Sequence, residues 1–350
     1  MDKVIAFGPA SVANVGPFYD VMGYCLDHLG DIVIAERTND HNEATLITVE
    51  GPFKNDLIKE NVATEDNCVQ IVAQNIWEEF KNNLNFGVNL TLVKNMPTRS
   101  GLGSSSASCV AAAKAILKII DFQEEGNKAS ISNWIIEGER AAADQSYPDN
   151  IVPSYFGGFY ILNRQWQQKV KTSPFYTLVF LKNKAATRTM RNVVTEHFMK
   201  IIDDNYDPAL KVENILNYLR AQSSYAALII NSLNTNDLGT FGSCMSLSRD
   251  NSNFLEECRG DLILGFFDQK EFLLSNGALG CAISGSGPAI ACVIKDYDSA
   301  DKLKDLYLRE FGNDCYWLIS ELNSTGAKII DDLDQWNKDN KEFHNFWGQK

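Results

Sequence analysis

Apolar residues recur along the chain with two different spacings, one typical of strands and one typical of helices, in successive segments. Alternating apolar residues over 88–93 predict a strand, and apolar residues at Val72, Ile76 and Phe80 predict a helix over 69–80. The same patterns predict further strands at 3–7, 32–35, 45–49, 156–162, 176–181, 279–284, 289–294 and 317–322. They predict further helices at 107–120, 128–143, 208–233 and 299–311, a broken helical segment over 241–274, a short element at 21–26, and loops at 10–20 and 56–66. Strands and helices alternate without a long linker, which indicates a mixed class, α/β or α+β.

The chain is organised around residues 95–108, NMPTRSGLGSSSAS, which join the predicted strand at 88–93 to the Ala-rich helix at 107–120. Gly101 and Gly103 permit backbone conformations and close approaches that a Cβ would block. The serines at 104–106 lie at the helix start, where unpaired backbone N–H groups and the helix dipole favour an anion. No Lys follows the glycines as in a Walker A loop, and the third Gly of a dinucleotide fingerprint is absent. The pattern predicts a phosphate-binding loop, with a Gly/Ser turn that only caps the helix as the alternative.

Composition narrows the class of partner. The net charge of −13 disfavours a nucleic-acid partner, whose phosphates would be repelled, but is compatible with ATP and a metal ion. The eight cysteines include no C-x-x-C pair, so neither a zinc site nor a disulfide framework is indicated. Free thiols suit a reducing compartment, and no apolar run has the length of a membrane-spanning helix or a leader. We therefore expect a cytoplasmic protein without a membrane partner.

Several acidic and amide side chains are candidates for site chemistry, each with an ordinary alternative. Asn14 and Asp20 lie in the predicted N-terminal loop, where both residue types also form Asx turns. Glu139 is one candidate ligand for the Mg²⁺ that accompanies ATP, although a Glu on a helix is usually solvated. Asp149 and Asn150 follow a Pro in a sequence that is typical of a turn.

Two further segments have possible polar roles. Thr187, Arg188, Arg191 and the distant Arg259 could gather to bind a carboxylate or phosphate, although any one arginine is more often a surface residue. Residues 284–288, SGSGP, form either a hairpin or a second polar loop that faces the first. The four histidines follow no pattern with a nucleophile, so a Ser-His-Asp hydrolase is not supported.

Together, these segments resemble the GHMP kinase superfamily, named for galactokinase, homoserine kinase, mevalonate kinase and phosphomevalonate kinase. Its three motifs match in order at 9–23, 97–108 and 283–288. Within the superfamily the chain most resembles the homoserine kinase family, through ANVGP at 13–17, DVMG at 20–23, KNMP at 94–97, DNIVP at 149–153 with GG at 157–158, TRTMR at 187–191 and RGDL at 259–262. The resemblance extends from about residue 3 to about residue 331.

The resemblance implies an α+β chain with the GHMP kinase fold, in which an N-terminal domain of ribosomal-protein-S5-like type precedes a ferredoxin-like C-terminal domain. On this basis we expect the N-terminal domain, with the ATP phosphate loop, over 1–185, the C-terminal domain over 186–335 and a polar tail over 336–350. The family also implies a homodimer.

The resemblance further implies ATP- and Mg²⁺-dependent phosphorylation of the side-chain hydroxyl of L-homoserine to O-phospho-L-homoserine, a step of threonine biosynthesis. The residues that it implies for the ATP site are Asn67, Cys68, Pro97, Arg99, Ser100, Gly101, Leu102, Gly103, Ser104, Ser105 and Ser106. Those implied as Mg²⁺ ligands are Ser105 and Glu139. Those implied for the substrate are Asn14, Asp20, Asn150, Arg191 and Arg259, with Asp20 on the ammonium and the arginines on the carboxylate.

The implied mechanism has no carboxylate base. Asn150 stands where mevalonate and galactose kinases of the superfamily have an Asp, and an Asn cannot take a proton at neutral pH. Phosphoryl transfer has a loose transition state, so positioning and charge stabilisation can supply most of the catalysis. We therefore expect direct in-line attack by the substrate hydroxyl, oriented by Asn150, with Thr187 and Arg191 beside the transferred group.

Three departures from the family pattern leave the substrate open. Val12 replaces a usual Ser, Phe18-Tyr19 replaces Gly-Phe, and Tyr147 stands where a His is usual. One alternative is another GHMP kinase with a different small hydroxylated substrate, although the two arginines and the Asp favour a zwitterion over a sugar. The other is a non-catalytic ligand sensor on the same fold, which would bind ATP without turning over an alcohol.

Overall fold

The computed structural model describes residues 1–16, 20–40, 42–59, 65–143, 145–163, 166–182, 208–246, 256, 260 and 263–340. Its strands are β1 (Lys3–Ala13), β2 (Met22–Thr38), β3 (Ala44–Glu50), β4 (Gly87–Val93), β5 (Phe159–Leu162), β6 (Gln167–Val170), β7 (Tyr176–Leu181), β8 (Gly280–Ile283), β9 (Ile290–Ile294), β10 (Tyr316–Glu321) and β11 (Lys328–Ile329). Its helices are α1 (Lys54–Lys59), α2 (Cys68–Phe80), α3 (Ser104–Ile119), α4 (Lys128–Ala143), α5 (Pro148–Phe156), α6 (Pro208–Asn234), α7 (Leu238–Met245), α8 (Phe266–Ser275), α9 (Tyr297–Phe311) and α10 (Leu333–Asp339).

The first sheet has the strand order β11-β1-β2-β4-β3, and β5 pairs with β2 and β6. Its pairs are antiparallel except β3 with β4. Helices α2 to α5 cover one face, where apolar residues such as Trp77 and Ile116 are buried with the inward side chains of β1, β2 and β4. The Ala-rich helix α3 lies very close to β1, because a Cβ on Gly8 would come within 2.1 Å of the Ala107 carbonyl oxygen. This close contact places the start of α3 against the polar end of β1.

The second sheet is antiparallel throughout, with the order β10-β7-β9-β8. Helices α8 and α9 pack on one face, around buried Phe266 and Tyr307. The strand order and the two packed helices form the ferredoxin-like arrangement, as the resemblance implied. Helices α6 and α7 contribute Ile229 and Phe241 to a cluster that also contains residues of the first sheet, so the two sheets share apolar packing.

Most predicted elements are confirmed, and the differences have local causes. Strand β1 runs through the predicted loop as far as Ala13, after a register shift between Pro9 and Ser11. The elements predicted at 21–26 and 32–35 are parts of the single strand β2, in which His28 adopts a φ of +66°. The turn read at Pro148 is instead the first turn of α5, because Pro is favoured at the first helical positions. The short elements α1, β6, β11 and α10 were not predicted.

The chain passes from the first sheet to the second between β6 and β7, and β11 returns to pair with β1. The domain limits at 185 and 335 stay predictions. Within the segment expected as a polar tail, the described residues as far as Asn340 include the end of α10. There Trp336 packs on Phe7, with 4.9 Å between ring centroids.

Candidate active site

The predicted phosphate loop connects β4 to α3 and leaves the start of that helix open. Gly101 and Gly103 have φ values of +81° and +66°, left-handed conformations that glycine adopts without strain. Gly103 directly precedes α3, and no side chain caps the helix there. The first-turn N–H groups of this helix of 16 residues are therefore available to a ligand, and the helix dipole favours a phosphate at the same point.

The three serines of the first turn of α3 have different environments. The buried Ser104 hydroxyl accepts a hydrogen bond from Lys94 Nζ at 2.7 Å, and the buried Ser106 hydroxyl donates to Glu139 Oε1 at 2.9 Å. Ser105, between them, is exposed. The outer two serines thus fix the helix start, and Ser105 is the one of the three that is exposed.

A buried ion pair supports the loop from below. Lys94, the residue after β4, pairs with Asp31 of β2, and both side chains are almost completely buried. Lys94 Nζ also donates to the Ser104 carbonyl at 3.0 Å and to Ser108 Oγ at 3.0 Å. Asp31 Oδ1 accepts from the backbone N–H groups of Asn95 and Met96 at 2.8 and 3.1 Å. One ion pair therefore joins β2, the start of the loop and the first turn of α3.

The second glycine loop, residues 284–288, connects β8 and β9 in an antiparallel hairpin and also lies against the first loop, so both interpretations of SGSGP hold. Ser284 Oγ donates to the Gly101 carbonyl at 2.7 Å, and Ala289 N donates to the Ser100 carbonyl at 3.1 Å. A Cβ on Gly101 would come within 2.4 Å of the Ser284 carbonyl oxygen. Glycine is needed at Gly101 for this close approach as well as for its φ.

Asn150 lies at the same point, in the first turn of α5. Its Oδ1 accepts a hydrogen bond from Ser11 Oγ at 2.8 Å, and Ser11 is fully buried at the end of β1. A Cβ on Gly103 would come within 2.7 Å of that Oδ1 and within 2.4 Å of Ser11 Oγ. Since Ser11 occupies Oδ1, the amide Nδ2 of Asn150 is the group that can donate to a substrate oxygen beside the phosphate loop.

Asn14, Asp20 and Asp149 form a polar group next to Asn150. Asn14 N donates to Asp149 Oδ2 at 3.1 Å, and Asp20 N donates to Asn14 Oδ1 at 2.7 Å. Burial and, to a smaller extent, the charge of Asp149 raise the pKa of Asp20 to about 8, and burial raises the pKa of Asp149 to about 6. Both carboxyl groups are thus poorly stabilised as anions by their described neighbours.

Glu139 is a carboxylate in contact with the first turn of α3. It is fully buried on α4, where it accepts from Ser106 Oγ and, at 3.0 Å, from Tyr147 N. Burial raises the pKa of Glu139 to about 7, although hydrogen bonds from Tyr147, Ser106 and Ser105 act in the opposite direction. Glu139 therefore lies beside the first turn of α3, which contains Ser105, and the metal role of the two residues stays a prediction.

Helix α2 begins beside α3. Asn67, which is buried, caps α2 by accepting from Val69 N at 3.0 Å, and Cys68 Sγ lies 3.9 Å from the Ser105 carbonyl. A hydrogen bond with Cys109 is the main cause that lowers the pKa of the Cys68 thiol. Asn67 and Cys68 thus border the loop, with the side-chain oxygen of Asn67 used as a cap.

Of the remaining residues predicted for the loop, some are buried and one is exposed to solvent. Pro97, Ser100 and Leu102 are buried, and the Leu102 carbonyl accepts from Ser11 N at 3.1 Å. Arg99 is exposed, with a φ of +53°. Of this group, Arg99 alone has a side chain exposed to solvent.

Some predicted residues have no described position. Thr187, Arg188, Arg191 and Arg259 lie outside the described residues, as does the pair Phe18-Tyr19. Within the described ranges there is no group of three or more His, Cys, Asp or Glu side chains that could hold a metal ion. In the same ranges, no helix has the length and apolar character needed to cross a membrane.

Four residues of the site were not among the residues predicted for it. Ser11 and Asp31 carry no signal in a single sequence, and Lys94 appears there only in the KNMP motif without an assigned role. The roles of all three depend on contacts with distant segments. Asp149 belongs to the predicted turn and to the DNIVP motif, but without an assigned role, and its burial beneath Asn14 appears only in the fold.

The glycine loop, the open helix start and the adjoining hydroxyl and carboxylate groups define the site of an α+β protein that handles phosphate. Residues 67–158 match the GHMP kinases N terminal domain, and residues 228–314 match the GHMP kinases C terminal domain. The homoserine kinase of Methanococcus vannielii is 32% identical to this chain over 91% of it and 96% of the relative. The homoserine kinase of Methanococcus maripaludis is 32% identical over 84% of this chain and 89% of the relative.

A solved structure agrees with these relatives. The crystal structure of homoserine kinase from Cytophaga hutchinsonii is 26% identical, covers 94% of this chain and 98% of its own, and superposes with a TM-score of 0.75. The chain belongs to the GHMP kinase family, among relatives that are homoserine kinases. It is an ATP-dependent kinase that acts on an alcohol, so the predicted fold and enzyme class are confirmed.

Proposed function

We propose that this protein is a homoserine kinase, which transfers the γ-phosphoryl group of ATP to the side-chain hydroxyl of L-homoserine in threonine biosynthesis. The observation that carries the proposal is the contact between Asn150 and the predicted phosphate loop at Gly103, because from there the Asn150 amide would orient a substrate hydroxyl beside a bound phosphate. Asp20, which Asn14 joins to the group beside Asn150, is the carboxyl group that we assign to the substrate ammonium. The homoserine kinase relatives support the same substrate.

The site has a donor set that fits Mg²⁺. Mg²⁺ binds through one or two carboxylates together with hydroxyl, water and phosphate oxygens, and Glu139 and the exposed Ser105 are adjacent at the helix start. Glu139 has no described cationic partner, although it is fully buried and its pKa is raised. When bound, the ion would neutralise charge on the phosphates of ATP. Ser105 and Glu139 are our proposed Mg²⁺ ligands, because both supply oxygen atoms and Glu139 lies beside the first turn of α3, which contains Ser105.

The proposed mechanism is in-line transfer without a carboxylate base. The N–H groups at the start of α3 hold the phosphates, and Asn150 orients the substrate hydroxyl through its amide. The hydroxyl oxygen forms a bond to the γ-phosphorus while the bond to the ADP oxygen breaks, and the hydroxyl proton passes to a phosphate oxygen. Thr187, Arg191 and Arg259 stay predictions for the transferred group and the substrate carboxylate.

The remaining site residues keep their predicted roles as proposals. The ATP site would comprise residues 97 and 99–106 of the loop, with Asn67 and Cys68 beside the adenine. Asn14 and Asp20 would bind the substrate, and Asp20 would face its ammonium. The cytoplasmic location and the homodimer stay predictions.

The test is coupled ADP release from Mg-ATP with L-homoserine, compared with L-serine, L-threonine, mevalonate and galactose. We expect turnover with L-homoserine and little with the others. Turnover of a different alcohol would retain the kinase and reject the substrate. ATP binding without turnover of any of the five would favour the ligand sensor.

Substitution of Asn150 tests its role separately. Asn150→Ala should lower kcat by about 100-fold, a loss typical of removing one positioned donor, with the KM for ATP little changed. Asn276→Ala, which changes an exposed Asn at the end of α8, is the matched control and should keep full turnover. Full turnover by Asn150→Ala would show that the amide does not orient the hydroxyl.

A further inference from the structure

Two buried carboxylate oxygens near Asn150 lack a hydrogen-bond donor. Asp20 Oδ1 and Asp149 Oδ1 are both shielded from solvent and have no hydrogen-bond partner among the described residues. Buried acceptors without a donor are rare in folded proteins, because they lose the hydrogen bonds that water would give. The charge of Asp149 acts on the Asp20 carboxyl group, and Asn14 bonds to both residues, so two unpartnered atoms in one linked group indicate that a ligand completes them.

The charges at this point indicate what the ligand carries. Asp149 is fully buried, and its charge adds to burial in raising the pKa of Asp20 to about 8. A single cation between the two carboxyl groups would cancel their repulsion. If the cation is also a hydrogen-bond donor, it would supply the hydrogen bonds that the two oxygens lack. An ammonium group suits the position, since it has three donors and no acceptor.

Hydrogen bonds of Asn14 link Asp20 and Asp149 to each other and to the second glycine loop. Asn14 N donates to Asp149, Asn14 Oδ1 accepts from Asp20 N, and Asn14 Nδ2 donates to the Gly285 carbonyl at 3.0 Å. Asp149 is also the residue before Asn150 in α5. Asp149 is therefore one residue away from the amide that orients the hydroxyl, and Asn14 links it to the backbone of Asp20. This arrangement suits an amine and a hydroxyl on one short molecule.

We propose that Asp149 binds the substrate ammonium together with Asp20, and that this carboxylate pair makes the enzyme select amino alcohols over alcohols without an amine. The proposal rests on the proposed function and adds a residue that the family resemblance did not assign to the substrate. It makes Asp149 a specificity-determining residue, whereas Asn150 orients the hydroxyl.

Asp149 also has a structural position that the test must separate. It lies in the first turn of α5, where an acid is favoured by the helix dipole, and it accepts from Asn14 N. Asp149→Asn keeps an acceptor oxygen for Asn14 N, removes the charge and replaces the other oxygen with an NH2 group, which cannot accept from an ammonium. Asp149→Ser is the second variant, because Ser is also favoured at helix starts. The matched control is Asp298→Asn, which removes an exposed acid from the first turn of α9.

The experiment measures kcat/KM for L-homoserine and for 4-hydroxybutyrate, which has the hydroxyl but no amine. For Asp149→Asn we expect the KM for L-homoserine to rise roughly ten- to a hundredfold, as for the loss of a charge-assisted hydrogen bond. The KM for ATP should be unchanged, and the preference for L-homoserine over 4-hydroxybutyrate should fall by at least about tenfold. Asp298→Asn should keep the wild-type preference.

The outcomes separate this inference from the proposed function. If the wild-type enzyme turns over L-homoserine and either folded Asp149 variant keeps the wild-type preference, the inference is wrong and Asp149 is structural. A parallel loss of kcat/KM for both alcohols would also contradict it, because a general defect does not select for the amine. If the wild-type enzyme does not phosphorylate L-homoserine, the proposed function itself fails.

Discussion

At the scale of single residues, Gly103 shows how one missing methyl group determines the site. Its φ is positive, and the space where a Cβ would lie is filled by Ser11 Oγ and Asn150 Oδ1. The position therefore needs glycine twice, once for the backbone and once for the approach of Asn150 to the loop. Gly126 has a similar φ of +81° but nothing within 4 Å of its Cβ position, so it separates the two effects.

We predict that Gly103→Ala abolishes most kinase activity, whereas Gly126→Ala does not. Gly126→Ala should cost about 1 kcal/mol of unfolding free energy from the left-handed backbone alone. Gly103→Ala should cost more than this and should weaken ATP binding, because Ser11 and Asn150 must move. Urea unfolding and nucleotide titration of both variants measure these effects. Equal effects of the two substitutions would show that the contact with Asn150 is unimportant.

The raised pKa of Asp20 predicts a pH dependence of substrate binding. Its pKa of about 8 lies above the ordinary Asp value because of burial first and Asp149 second, so below pH 8 the free enzyme holds Asp20 mainly as the neutral acid. The substrate ammonium binds the ionised form, so the KM for L-homoserine should fall by up to about tenfold per unit as pH rises towards 8. Steady-state kinetics between pH 6.5 and about 8 check this. Asp20→Asn should bind the substrate weakly and lose this dependence, and an unchanged slope in the variant would assign the titration elsewhere.

At the scale of elements, the start of α3 depends on the ion pair between Asp31 and Lys94. The pair joins β2 to the end of β4, and its hydrogen bonds to Ser104 and Ser108 fix the first turn of the helix. A buried pair is not in itself strong evidence of stability, since both charges were removed from water. Loss of one partner is costly, however, because the other charge stays buried.

We predict that Lys94→Met destabilises the protein by about 3 kcal/mol or more, because Asp31 is left as an unpaired buried charge. The double variant Asp31→Asn with Lys94→Met should recover part of that loss, since no charge remains. Lys3→Met is the control, as Lys3 and Glu36 form an exposed pair, and its effect should stay below about 1 kcal/mol. Denaturant unfolding gives all three values. A Lys94→Met effect as small as that of Lys3→Met would contradict a supporting role.

At the scale of the whole molecule, one apolar cluster contains residues of both sheets. Tyr24 of β2 packs edge-on against Phe175, which precedes β7, with 5.2 Å between centroids. The Tyr24 hydroxyl and Thr177 Oγ1 of β7 lie within hydrogen-bond distance at 3.0 Å. Phe241 of α7 also packs against Phe175, with 5.5 Å between ring centroids. Apolar side chains of the two expected domains therefore pack directly against each other at this contact.

We predict a single cooperative unfolding transition, because neither sheet can expose its part of this cluster alone. Far-UV circular dichroism and tryptophan fluorescence should give the same urea midpoint. Phe175→Ala should lower both urea midpoints together and reduce the free energy of unfolding by roughly 3–5 kcal/mol. Ile47→Ala, which changes an exposed residue, should have little effect on either midpoint. Two separated transitions would show that the domains unfold independently.

Features of the fold that depend on neighbouring residues were predicted from the sequence more successfully than features that depend on distant contacts. The glycine loop, the helix after it and the alternating strands were predicted correctly, because the spacing of apolar residues and the turn chemistry act over neighbouring positions. The helix α5 was read as a turn, since Pro148-Asp-Asn suits both a turn and a helix start. Its packing against β1 and β2 decided for the helix.

The sequence by itself determined the class of the protein: a phosphate-binding loop between a strand and a helix, in an acidic α+β chain with the motifs of the GHMP kinases. The tertiary structure alone decided which side chains meet there. Ser104 and Ser106 turned inward and Ser105 outward, Lys94 met Asp31, and Asp149 was buried beneath Asn14. Such contacts join segments as far apart as 135 residues, and no local pattern specifies them, because they form only when the sheets and helices pack.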